Sequence, residues 1–96
     1  MPKAYWIARV DVKDPERYKL YIEGTKAPFT EYGARPLVRA GNVTMIEGGG
    51  RGRNVVLEFD DMETALACYN SPGYQEALKH RQAASEGEII IVEGIE

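Results

Sequence analysis

This chain is poor in the residues from which most catalytic and metal-binding signatures are built. It holds one cysteine, Cys68, and one histidine, His80, among 96 residues. A lone cysteine excludes an internal disulfide and fits a reducing, cytoplasmic setting. The two residues stand twelve positions apart, which is not ligand spacing, so no metal and no cofactor is expected. Positive charge is also short: 12 Lys and Arg against 15 Asp and Glu give a net charge of −3. With the basic residues dispersed as well, nucleic acid is not an expected partner. No apolar run is long enough to span a bilayer, so no membrane partner is expected. Met1-Pro2-Lys3-Ala4 leads straight into a strand pattern, which leaves no signal-peptide core. The tip Gly48-Gly49-Gly50-Arg51-Gly52 lacks the Gly-Lys-Ser/Thr ending of a phosphate-binding loop and reads as a flexible hairpin tip.

What is present is the composition of an ordinary globular domain, 44% hydrophobic and 28% charged. Residues 1–96 make one domain, since domains commonly run to ~100–150 residues. A chain this short buries only roughly 60–65% of its unfolded surface, so dimerisation would enlarge its core.

The order of elements is the informative feature. Ala4–Val12 alternates as a strand, with Trp6, Ala8, Val10 and Val12 on an apolar face and Tyr5, Ile7, Arg9 and Asp11 on a mixed one. Asp14-Pro15-Glu16 opens a helix by N-cap, N1 proline and first-turn acid. Tyr18, Tyr21, Ile22, Thr25, Phe29 and Tyr32 recur on it at helical spacing, and Pro28 should kink or interrupt it. A second strand starts near Arg35, is interrupted at Gly41-Asn42, and resumes over Val43–Glu47. A third runs Arg53–Phe59, with Val55, Leu57 and Phe59 on one face and Asn54, Val56 and Glu58 on the other. Asp60 or Asp61 caps a second helical stretch, which restarts at Ser71-Pro72 and carries Tyr74, Ala77, Leu78 and Arg81. The last strand, Glu88–Glu93, is apolar on both faces, as a strand covered on both sides is. The sum is β-α-β-β-α-β. The expected fold class is α+β and ferredoxin-like: an antiparallel four-stranded sheet with helices on one face. The other face needs cover, and a second copy of the chain is the expected partner.

Several segments together resemble a known family. They are Tyr5–Val12 with Asp14-Pro15, Tyr32-Gly33-Ala34-Arg35-Pro36-Leu37-Val38-Arg39, Val56-Leu57-Glu58-Phe59, Tyr69-Asn70-Ser71-Pro72-Gly73-Tyr74 with Arg81, and the closing Ile91-Val92-Glu93-Gly94. They look like a bacterial family known only as a domain of unknown function, DUF1330. The likeness runs over essentially the whole chain, although the tip Gly48–Gly52 is richer in glycine and lacks an aromatic. It implies the dimeric α/β barrel, in which two ferredoxin-like protomers pack sheet to sheet around an enclosed space. Other proteins of that architecture include cofactor-free monooxygenases, haem-degrading enzymes, and isomerases or lyases of small aromatic compounds. That is analogy at the level of fold and carries no catalytic residue over.

Strand parity supplies the candidate site. Tyr5, Ile7, Arg9, Val56 and Glu58 share the face away from the helices, and Arg39 with Leu37 can join them. Such an interior could hold a small anionic or aromatic molecule through charge-assisted hydrogen bonds, with Arg9 and Arg39 binding it and Glu58 orienting an arginine or moving a proton. The same residues could instead form a structural ion-pair network at a dimer interface. At the helix break Asn70 and Ser71 either orient a ligand, or the segment is only a cap, in which Ser71 takes an orphan N–H and Pro72 needs none. Histidine is a residue type suited to general-base work, but His80 sits between Lys79 and Arg81, as on a solvated face. Glu58, His80 and Tyr5 are the catalytic candidates; Arg9, Arg39 and Asn70 are the ligand-binding ones. The expected function is a small homodimer with an amphipathic pocket and cofactor-independent chemistry, whether oxygenation, isomerisation or lyase-type, on a small organic molecule. The rival is a non-catalytic ligand-binding or stress-associated dimer with a structural charged interior.

Overall fold

A computed structural model describes residues 2–95. Its elements are β1 (Ala4–Val12), α1 (Pro15–Glu31), β2 (Arg35–Arg39), β3 (Arg53–Phe59), α2 (Met62–Tyr69), α3 (Pro72–Ala84) and β4 (Ser85–Glu93). The strands form one antiparallel sheet in the order β2-β3-β1-β4, the ferredoxin-like arrangement.

Local chemistry sets most of the boundaries. The Asp14 carboxylate accepts from the Arg17 amide at 3.2 Å, with Pro15 behind it, and Asp61 accepts from Thr64 N at 2.8 Å to start α2. The Ser71 hydroxyl accepts from Tyr74 N and donates to the carbonyl of Cys68 at 2.7 Å, so one side chain ties the end of α2 to the start of α3. Gly33, at φ +70°, turns the chain out of α1 into β2.

Three expectations are corrected. Pro28 does not interrupt α1, which continues to Glu31. The proline lies near the end of the helix, so its missing N–H removes one hydrogen bond from the last turns only. Val43–Glu47 forms no strand: β2 stops at Arg39, and residues 41–52 form an irregular connection with bends. Ala40, at φ +53°, turns the backbone off the ladder there. The break in pairing also falls earlier than Gly41-Asn42, with a register shift between Pro36 and Val38.

The core lies between the sheet and the helices. Trp6 is its centre, 1% exposed, with Phe29 edge-on at 5.5 Å, Tyr74 at 5.0 Å and Phe59 stacked at 5.8 Å between centroids. Ala4, Trp6, Ala8 and Val10 are all buried on this side. β4 is apolar on both faces, but only Ile89 and Ile91 pack against this core. Ile90 and Val92 project from the uncovered face, 55% and 44% exposed.

Candidate functional site

The three helices cover the sheet unevenly. α2 lies over β1, β3 and β4, while α1 packs mainly along α3 rather than down onto β2 and β3. Small residues allow that: a Cβ added at Gly24 would stand 2.8 Å from the Cβ of Ala77. Held against α3, α1 leaves a cavity of 520 Å³ between itself and the β2–β3 half of the sheet.

The floor of the cavity is apolar, formed by Trp6 and Ala8 of β1 and Val55 and Leu57 of β3. Its helical wall carries Tyr18, Tyr21, Ile22 and Phe29 of α1. Among the described residues four cationic ones enter it, Lys26, Arg39, Arg53 and Arg81, and no carboxylate lines it. The Arg53 guanidinium lies over the Tyr18 ring at 5.2 Å and that of Arg81 over the Tyr21 ring at 5.7 Å. Such stacking holds the planar forks in place without neutralising them. The Nε atoms of both arginines are buried without a hydrogen-bond partner.

Behind the helical wall the hydroxyls of Tyr21 and Tyr74 meet at 2.9 Å. Burial pushes the Tyr21 phenol far above its ordinary range, and neighbouring Tyr74 adds to the shift. Burial raises Tyr74 as well, against a lowering hydrogen bond from Tyr21 and the nearby charge of Arg81. Both phenols therefore stay protonated at neutral pH. Burial also pushes the Cys68 thiol up to about 12, so the one cysteine is no nucleophile in the folded chain.

The opposite, open face carries a second polar group. The Tyr5 hydroxyl donates to Glu58 Oε2 at 3.2 Å, and Arg35 donates through Nε to Glu58 Oε1 at 2.8 Å and through Nη1 to Asp60 at 3.0 Å. The hydrogen bond from Arg35 holds the Glu58 carboxyl below its usual range, overcoming partial desolvation. Desolvation and the Glu58 carboxylate together raise the Tyr5 phenol. At the other end of this face Arg51 pairs with Asp11 at 2.6 Å and Glu88 at 2.9 Å. Between the two groups an apolar row crosses all four strands, Val38–Val56–Ile7–Ile90.

The expected cluster of Arg9, Arg39 and Glu58 does not form. The register shift after Pro36 pairs Val38 with Val56 and Arg39 with Val55, which turns Arg39 to the helix side, into the cavity. Arg9 keeps the open face but pairs with Asn54, four positions along β3 from Glu58, about 13 Å at strand rise. The partner Glu58 does have is Arg35. Asn70 is the exposed C-cap of α2, its side chain donating to the Leu66 carbonyl at 3.0 Å. His80 accepts from Arg17 Nε at 3.4 Å between α3 and α1. Neither residue lines the cavity. The cavity arginines that sequence reasoning passed over were marked in the pattern: Arg53 shares parity with Val55 and Leu57, and Arg81 continues the stripe Tyr74, Ala77, Leu78. Arginine at positions of a core-facing pattern was the available signal.

Among the described residues no group of three or more His, Cys, Asp or Glu side chains is placed to hold a metal ion, and no helix is long and apolar enough to cross a membrane.

An open-faced, four-stranded antiparallel sheet with its helices on one side and a cavity beneath them defines a ferredoxin-like α+β protein. The chain belongs to the family described as a domain of unknown function, DUF1330, whose model matches residues 3–95. No curated protein matches it. Among solved structures it is similar to a protein of unknown function from Rhodopseudomonas palustris, 17% identical, covering 99% of this chain and 84% of that one with a TM-score of 0.82. It is also similar to SnoaB, a cofactor-independent oxygenase from Streptomyces nogalater, at 14% identity, 100% and 96% coverage and a TM-score of 0.68. A third likeness is to a dimeric, ferredoxin-like protein of unknown function from Bacteroides fragilis, at 14% identity, 96% coverage of each chain and a TM-score of 0.57. At these identities the likeness is one of fold.

Proposed function

We propose that the protein works as a homodimer, each protomer taking a small, partly apolar organic molecule into the cavity between α1 and the β2–β3 half of the sheet. The observation that carries this reading is the cavity wall: aromatic and aliphatic over most of its area, cationic at a few convergent points. That is the make-up of small-molecule sites, and 520 Å³ lies within their usual span of ~300–1,000 Å³. Arg39 keeps the ligand-binding role its sequence context suggested, in this cavity rather than on the open face. Tyr5, Glu58 and Arg35, joined on the open face, serve the subunit interface in this reading, in place of the network of Arg9, Arg39 and Glu58. The row Val38–Val56–Ile7–Ile90 supports dimerisation through the open face, and so does the likeness to the dimeric Bacteroides fragilis protein.

A second reading adds cofactor-independent chemistry on the bound molecule, whether oxygenation, isomerisation or a lyase-type step. It is favoured by Tyr21, a wall residue whose protonated phenol is hydrogen-bonded to that of Tyr74 behind it and can donate a hydrogen bond to charge developing on a substrate oxygen. The likeness to SnoaB supports it by analogy alone. Among the described residues the cavity lining offers no imidazole, carboxylate or thiol as a base, so binding is the better supported of the two.

Trp6, the single tryptophan, lines the cavity and reports on its contents. Titration with a panel of small aromatic and branched compounds should change Trp6 emission saturably for at least one of them. Ala34→Phe, which fills part of the cavity, should abolish the response. A panel without effect, or a response indifferent to the filled cavity, rejects the binding site. Turnover of the same compound, lost in Tyr21→Phe, separates the catalytic reading from simple binding.

A further inference from the structure

We infer that the ligand of this cavity is an oxyanion, a carboxylate or a phosphate carried on an aromatic or branched apolar body, whose charged group is gripped by Arg39, Arg53 and Arg81. The inference rests on the cavity being a small-molecule site and adds the class of molecule it takes. Its basis is a local imbalance of charge. The chain as a whole is acidic, at −3; among the described residues its arginine ion pairs join Arg35 to Glu58 and Asp60, and Arg51 to Asp11 and Glu88, and Lys26 at the cavity pairs with Glu23 at 3.0 Å. Among the described residues none of Arg39, Arg53 and Arg81 has a carboxylate within ion-pair distance.

The three arginines come from different elements, the end of β2, the start of β3 and the last turns of α3, yet line one cavity. Two of them leave a buried Nε donor unmatched, and an unmade donor on a charged group is among the costlier arrangements a fold can keep. Stacking on Tyr18 and Tyr21 orients both guanidinium planes but supplies no acceptor. A planar fork with free N–H groups matches the oxygens of a carboxylate or phosphate. The apolar floor from Trp6 to Leu57 cannot pair with that charged group and fits the hydrocarbon that bears it. A bare inorganic ion would leave this floor without a partner.

Calorimetric titration of the full chain with phenylacetate, phenyl phosphate and 2-phenylethanol tests the inference, since the three share a ring and differ in charge. At least one anion should bind about tenfold or more tightly than the alcohol, the scale of a charge-assisted hydrogen bond. The better anion tells carboxylate from phosphate. Arg53→Gln and Arg81→Gln should each weaken that anion about tenfold and leave the alcohol unchanged. Arg39→Gln, at an exposed position, makes the same comparison without risk to folding. Equal binding of alcohol and anion, or tight anion binding indifferent to all three substitutions, overturns the oxyanion and leaves the cavity as a site. If none of the three compounds binds, the cavity reading falls with it.

Discussion

Glu58 lies on the open face with its side chain 17% exposed, between the Tyr5 hydroxyl and the Arg35 guanidinium. Because Arg35 depresses its folded pKa below that of the unfolded chain, Glu58 adds stability that is fully present above the unfolded value. That contribution is lost as pH falls through the folded value. Glu58→Gln should therefore lower the urea midpoint at pH 7, and its curve should converge on the wild type below roughly pH 4. Glu63→Gln, on the exposed first turn of α2, should lower the midpoint at pH 7 far less than Glu58→Gln. Parallel midpoints for Glu58→Gln and wild type across that range would show that the Arg35 contact contributes nothing. The depressed pKa also makes Glu58 a poor proton carrier near neutrality, which agrees with a structural role. Residue identity announced the ionisable group here. It did not say which arginine would meet it, because the partner was chosen by cross-strand register.

The contact between α1 and α3 makes the cavity possible. It depends on Gly24 facing Ala77, where an added Cβ would come within 2.8 Å of the Ala77 Cβ. In an isolated helix Gly24→Ala would gain ~1 kcal/mol from propensity. Here overpacking, typically ~1–3 kcal/mol, opposes that gain. The variant should be less stable than wild type by about 1 kcal/mol in chemical denaturation. Adding Ala77→Gly should recover stability beyond the sum of the single changes by about 1 kcal/mol, a direct measure of the coupling. A stabilised Gly24→Ala, with no coupling in the cycle, would mean that the helices do not meet there. Element boundaries at Asp14, Asp61 and Ser71 were legible from capping residues, since caps act over a few positions. The unbroken run of α1 through Pro28 was not, because proline costs less near a helix end than its mid-helix reputation suggests. Nor was the early end of β2, which depends on the left-handed backbone at Ala40.

At the scale of the whole molecule, the Cα trace extends 36 × 33 × 16 Å, a slab two layers thick with one sheet face uncovered. That face carries an apolar row between two ion-paired groups, the pattern of a recognition surface with a polar rim. Val38, Ile90 and Val92 on it are 43%, 55% and 44% exposed. A homodimer closed through this face should bury on the order of 2,000 Å² in total. Sedimentation velocity at micromolar concentration should give a dimer. Ile90→Asp, which puts a charge in the middle of the row, should give a folded monomer with unchanged circular dichroism. A monomeric wild type, or a dimer indifferent to Ile90→Asp, would assign the association to another surface. Cavity and open face lie on opposite sides of the sheet, so this variant should retain the Trp6 response to ligand even as it dissociates.

The sequence by itself determined the element order, the faces of β1 and β3 and the helix starts, because alternation, caps and proline act within a few residues of where they stand. Trp6 could be placed in the core from parity alone. What only the tertiary structure decided was the side of the sheet on which the polar residues do their work. One register shift between Pro36 and Val38 moved Arg39 from the open face to the cavity, since strand side chains alternate and a slip of one position reverses them. The cavity itself follows from how closely α1 approaches α3, a contact between residues 24 and 77. Local pattern is silent on such a pairing, because the atoms that decide it are distant in the chain.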